Sequence, residues 1–198
     1  MAYHYLVASL PLMFFGDPPP FSSRDFLARC AGVLDSGHLA ALEALVAGRS
    51  IGGSTAAQRL SALETQLRNA VAQTRASRLG ADVRGFQRDH PGYDVPLAQA
   101  VANALSKHPL ECERGLDQER WRIAEELTFQ EPFGFGAVLG FALKLLIAER
   151  WEGLSDEAGS RSFQALVERL TKMPEPVHPA EAPESPARGH QLIPVSES

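Results

Sequence analysis

His108 and Cys112 stand four residues apart, with Glu111 and Glu113 beside them. On a helix that spacing puts an imidazole and a thiol on one face, where both could reach one metal ion. Pro109 lies between them and favours a helix boundary there. No third ligand is evident nearby, so no metal site is assigned. Ile51-Gly52-Gly53-Ser54-Thr55 has the small residues of a phosphate loop. It lacks the lysine of such a loop, and its flanks read as helices rather than a strand and a helix. It reads as a loop that starts a helix. Gly134, Gly136 and Gly140 are spaced G-x-G-x-x-x-G, which departs from the dinucleotide fingerprint. Their expected role is close helix approach in a crowded core. The six histidines are scattered, two of them beyond residue 174, and no Ser, His and Asp set can be assembled from the sequence. No catalytic, metal or cofactor residue is therefore assigned, and no cofactor is expected.

Two charged features remain. Lys144 lies within Phe133–Ala148, the longest apolar stretch of the chain. A buried lysine must pair or lose its proton. If residues 116–130 and 134–150 form an antiparallel hairpin, Lys144 faces the region of Glu119 and Arg120. A structural ion pair with Glu119 or Glu126 is expected. The second feature is a run of arginines: Arg59, Arg68, Arg75, Arg78, Arg84 and Arg88, with Glu64, Asp82 and Asp89 interspersed. Such runs usually solvate a helix face. The other use is docking of an acidic protein partner, because arginine makes bidentate contacts to carboxylates. Arg68, Arg75, Arg78, Arg84 and Arg88 are the candidate partner-binding residues.

Helices must position these groups. The chain holds 28 Ala and 25 Leu among its 198 residues, and both are strong helix formers. Residues 3–15 alternate poorly and include Pro11, so a short extended or irregular N-terminal segment is expected. Pro18-Pro19-Pro20 ends it. Ser22 or Ser23 can cap a helix running to about Leu34. The turn Asp35-Ser36-Gly37 leads to a second helix, with Leu39, Leu42, Leu45 and Val46 on one side. Ser54 or Thr55 caps a third, to about Leu79, carrying the narrow stripe Leu60, Leu63, Leu67, Ala70, Val71 and Thr74. A turn-rich connection spans 80–93. Asp94 caps a fourth helix over about 95–106, with Pro96 tolerated in its first turn. The segment from Pro109 to Phe129 puts Leu116, Ile123, Ala124 and Leu127 on one face, and Gly115 could divide it. Residues 134–152 are apolar nearly all round and should form the most buried helix. Ser155 caps a last helix to about Lys172, with Phe163, Leu166, Val167 and Leu170 expected in the core.

The fold class expected is all-α, a bundle of six to seven helices over residues 1–173. Residues 174–198 hold six of the 14 prolines and four of the 24 acidic groups. That segment should be a disordered tail, since it cannot bury enough apolar surface to offset ordering. The body without it carries 18 basic and 20 acidic side chains. That balance gives no electrostatic footprint for nucleic acid. Cys30 and Cys112 are too few for a disulfide framework and read as reduced thiols. The apolar N-terminus has no basic region and no small-residue cleavage site, so no signal peptide is expected. The stretch from Phe133 to Ala148 is 16 residues long, shorter than the ~20 of a bilayer span.

Both ends of the body carry distinctive strings. The first is YHYLVASLPLM, followed by FSSRDFLARC. The second is HPLECERGLDQERWRIAEELTF, followed by GFALKLLIAERWEGLSDEAG. Together they resemble a bacterial family of unknown function encoded beside the components of V-type (A/V-type) ATPases, over residues 3–170. That family looks like a shortened relative of the ATPase's C-type socket protein, which is named d in eukaryotes. The matching positions are Tyr3, Tyr5, Leu6, Pro11, Pro109, Leu110, Glu111, Glu113, Arg120, Trp121, Lys144, Leu145, Glu149, Arg150 and Trp151. These are packing motifs rather than catalytic ones.

The resemblance implies an all-helical, non-enzymatic coupling part that sits on the membrane rotor ring and receives the central stalk, formed by the D and F components. It implies a cytoplasmic location, peripheral to the membrane through the complex, and a role in proton or sodium transport. No membrane span and no nucleic-acid partner are expected, from the length of the apolar stretch and the charge balance. The alternatives left open are an assembly factor for the same complex and a helical enzyme whose site is not visible in the sequence. Within the coupling expectation, the arginine-bearing face of the 54–79 segment and the 80–93 connection are the docking surface.

Overall fold

The computed structural model describes residues 2–154 and 156–171. Two units are distinguished, 1–155 and 156–198. In the first, helices α1 (His4–Ala8), α2 (Ser23–Ala31), α3 (Ser36–Val46), α4 (Thr55–Leu79), α5 (Val95–Leu105), α6 (Pro109–Gln130) and α7 (Phe135–Glu152) follow in chain order. Helix α8 (Asp156–Thr171) belongs to the second. The all-α class is as expected, and the described residues contain no strand.

The helix starts follow from side-chain caps. Ser22, Asp35, Ser54 and Asp94 each accept from the backbone N–H three residues on, at Asp25, His38, Ala57 and Leu97. Each satisfies a donor that a helix start otherwise leaves unpaired. Asp35 thus caps α3, so Ser36 and Gly37 belong to the helix rather than to a turn before it. Helix α4 stops at Gly80, which adopts the left-handed φ of 62° that a residue with a Cβ takes at a cost.

Three details differ from expectation. The N-terminal segment contains one short helix, α1, tied down by the Tyr3 N–H donating to the Phe133 carbonyl at 2.5 Å. Gly115 does not break α6, which runs unbroken for 22 residues. A Cβ at Gly115 would stand 2.9 Å from the Ala104 Cβ. The glycine is there to let α5 approach α6. In α8, Phe163, Leu166, Val167 and Leu170 are exposed, not buried. Periodicity tells that a helix has an apolar face, not that anything covers it. The Ser155 cap and the tail from 174 lie outside the described residues.

Helix α7 is the centre of the first unit. It packs against α2, α3, α4 and α6, and every residue from Phe135 to Leu143 is buried. No helix among the described residues is long and apolar enough to cross a membrane. Helices α6 and α7 form the antiparallel hairpin, and glycine sets its spacing. A Cβ at Gly140 would fall 2.5 Å from both the Ala124 carbonyl oxygen and the Thr128 Oγ1. At Gly136 it would fall 2.8 Å from the Leu127 carbonyl oxygen. The glycines therefore serve helix packing. Phe21, Phe26 and Phe141 close the end near α2, and the Arg29 guanidinium lies 4.2 Å from the Phe21 ring centroid.

Candidate functional site

The polar residues of the α6–α7 hairpin converge on one carboxylate. Asp117 is 1% exposed. Its Oδ1 accepts from Arg120 Nη1 at 2.8 Å. Its Oδ2 accepts from Arg150 Nη1 at 2.8 Å and from Trp151 Nε1 at 3.0 Å. Arg120 also donates through Nε to Glu64 on α4 at 2.9 Å. Arg150 also donates through Nη2 to Glu113 at 2.7 Å. One buried carboxylate thus links α6 to α7, and Arg120 carries the link on to α4. Burial alone would lower the Arg120 pKa, but Glu64 and Asp117 more than offset it, and the pKa is raised. The guanidinium stays charged in place.

Lys144 lies on the same hairpin, on α7. It is ion-paired, but to neither expected partner. Its Nζ lies 3.3 Å from Glu125 Oε1 and 4.9 Å from the Trp121 ring centroid. Trp121 Nε1 donates to the same Glu125 oxygen at 3.1 Å. Glu119 is held by Arg122, and Glu126 is taken by Arg59 and Arg122. One helical position rotates a side chain by about 100°. That rotation separates Glu125, which faces α7, from Glu126.

The motif residues therefore divide. Glu113, Arg120, Trp121, Lys144, Arg150 and Trp151 gather in this seam. Glu149 holds α2, accepting from the Ser23 N–H at 2.6 Å. Tyr3 is buried, and its hydroxyl donates to Asp35 Oδ2 at 2.8 Å while lying 2.6 Å from His38 Nδ1. The His38 ring stacks on Phe135 with centroids 4.0 Å apart. Pro109 opens α6 with Glu111 in its first turn. Tyr5 and Leu110 project outward, 95% and 61% exposed.

The five candidate arginines do not share one face. Arg68 and Arg88 line a cleft of about 610 Å³ beside the Asp117 hub, together with Arg49, Arg120 and Arg150. Arg84 lines a separate polar cleft of about 560 Å³ under the 80–93 connection, which Arg88 borders as well. Arg78 is engaged internally, donating through Nη2 to the Leu105 carbonyl at 2.6 Å. Arg75 is exposed. Two amides on α4 hold the connection. Gln66, buried, donates to the Asp94 carbonyl at 2.5 Å and accepts from the Asp94 N–H at 2.9 Å. Asn69 repeats the pattern on Arg88, at 2.7 and 3.0 Å.

His108 sits at the N-terminus of α6 and Cys112 is buried. Among the described residues no group of three or more His, Cys, Asp or Glu is placed to hold a metal ion. Ser54 of the Gly52-Gly53 loop spends its hydroxyl capping α4. Burial pushes the Cys30 thiol up to about 11.

Asp117, Gln66 and Asn69 carry most of this geometry, and sequence reasoning does not single them out. For Asp117 a local signal exists, since Asp117 and Arg120 stand three apart on one helix face. Its other partners lie more than 30 residues away.

No curated protein and no solved structure matches the chain. Over residues 94–173, which span α5 to α8, the chain is similar to a family whose model is described as Protein of unknown function (DUF2764).

Proposed function

We propose that the chain is a non-catalytic coupling part of a bacterial V-type ATPase, similar to its C-type socket protein. It stands between the membrane rotor ring and the D and F components of the central stalk, on the cytoplasmic side, and serves proton or sodium transport. The observation that supports this reading is the convergence of the motif residues. Glu113, Arg120, Trp121, Lys144, Arg150 and Trp151 come from two motif segments, one on α6 and one on α7, and they meet along one seam in two clusters, on Asp117 and on Glu125. A coupling part must carry load between partners without deforming. Close-packed interiors transmit strain, and a buried ion-pair hub holds its helices in one arrangement.

The test is isolation of the intact ATPase through a tag on another of its components, followed by quantitation of this chain. One copy per complex is expected. Presence only in assembly intermediates would make it an assembly factor instead. Absence from both would overturn the ATPase reading.

A further inference from the structure

The cleft beside the Asp117 hub carries an unbalanced charge. Five arginines line it: Arg49, Arg68, Arg88, Arg120 and Arg150. The only carboxylates in its lining are Glu64 and Asp117. The excess is three positive charges, and it is still two when Glu113, which holds Arg150 from outside the lining, is counted. Both lining carboxylates are already engaged. Asp117 takes three donors. Glu64 takes Arg120 at 2.9 Å and Arg68 at 3.7 Å. Arg49 and Arg88 are exposed, and their guanidinium groups have no partner among the described residues. Arg88 is nevertheless not adrift, because Asn69 clasps its backbone on both sides. Like charges gathered at a cleft raise the local concentration of anions.

The floor of the same cleft is apolar. Leu60, Leu143 and Ile147 are buried in it, while Leu45, Ile51 and Leu146 are half-buried and reachable. A small inorganic anion would leave that floor unused. An amphipathic acidic segment would use both parts, its apolar side chains on the floor and its carboxylates at the rim.

We infer that this cleft is the docking site for an acidic, amphipathic segment of a protein partner. Arg49, Arg68 and Arg88 receive its carboxylates, and Leu45, Ile51 and Leu146 receive its apolar side chains. The inference is independent of the ATPase reading and uses no ATPase component in its test.

The probe is a fluorescein-labelled hexapeptide of two leucines flanked on each side by two glutamates, titrated with the full chain and read by anisotropy. Binding that weakens with added salt is expected. The double variant Arg49→Glu/Arg88→Glu should weaken it by roughly tenfold or more. The neutral pair Arg49→Gln/Arg88→Gln should weaken it less. Arg75→Glu, outside the cleft, should leave it unchanged. Ile51→Ser should weaken it at constant charge. The arginine variants change exposed side chains, Ile51→Ser changes a half-buried one in the floor, and circular dichroism melts check that all four fold. Absence of binding at millimolar peptide would overturn the inference. So would equal binding by the double reversal. Displacement of the peptide by inorganic phosphate at equal concentration would also overturn it, in favour of a small-anion site.

Discussion

Asp117 accepts three side-chain hydrogen bonds while buried, from Arg120, Arg150 and Trp151. Removing its charge leaves Arg120 and Arg150 facing each other. Asp117→Ala is expected to cost about 3 kcal/mol or more, because breaking a buried pair strands the charges that remain. A denaturant titration would measure it, and a cost below about 1 kcal/mol would deny the hub its structural weight. Asp35 offers a pH handle. Backbone donation from His38 and the hydroxyl of Tyr3 hold its carboxyl below the usual value of 3.8. Its contribution is present above that value and is lost as pH falls below it. Tyr3 shifts the other way. Burial, then its bond to Asp35, raises its pKa above 10.0. Its contribution holds below pH 10 and fades as the phenol ionises at higher pH. Stability measured against pH should therefore fall at both ends, and Tyr3→Phe should flatten both limbs. Much of this scale is hidden in the sequence. That Lys144 is paired follows from its place in an apolar helix. Which carboxylate pairs with it depends on one residue of helix rotation, which the sequence does not encode locally.

Helix ends are largely legible, because a cap is a local event. Asp94 and Pro96 announce α5 within three residues. Glycine is harder to read. Gly115 has the look of a breaker, yet its neighbour is Ala104 on another helix, and only the tertiary structure shows that contact. The close helix approach expected at Gly134, Gly136 and Gly140 is visible in the hairpin at Gly136 and Gly140, whereas a Cβ at Gly134 would meet the side chain of Glu131 in the turn. Gly140→Ala should cost about 2 kcal/mol or more, since the added methyl meets the Ala124 backbone carbonyl as well as the Thr128 hydroxyl. Gly32→Ala is the control. Nothing lies within 4 Å of its Cβ position, so its effect should be small. A thermal melt of the two variants decides. The arginines of α4 and its connection make a second contrast. Arg78→Glu should destabilise the chain by about 1 kcal/mol or more, because it replaces a donor to the Leu105 carbonyl with an acceptor. Arg75→Glu should not. A double reversal of Arg75 and Arg78 would therefore mix folding with docking, and the single variants must be compared.

At the scale of the whole molecule the helical class is legible from Ala and Leu content, and the continuous burial of residues 135–143 from a run with no charged side chain. The exposure of the α8 apolar face is not, because burial is a relation between elements. Among the described residues, the hydrophobic core with its partly buried fringe is assembled from residues between Tyr3 and Trp151. A chain ending at residue 155 should accordingly still unfold in one cooperative step, and a broad non-cooperative melt would contradict that core assignment. The seam between α6 and α7 also decides what light can report. The chain has two tryptophans. Both indole N–H groups donate to α6 carboxylates, Trp121 to Glu125 and Trp151 to Asp117. Intrinsic fluorescence is thus a private signal of the hairpin. Loosening of the 80–93 connection, which Gln66 and Asn69 of α4 hold, would leave the emission unmoved. A mismatch between fluorescence and helical ellipticity would then map which part of the chain lets go first.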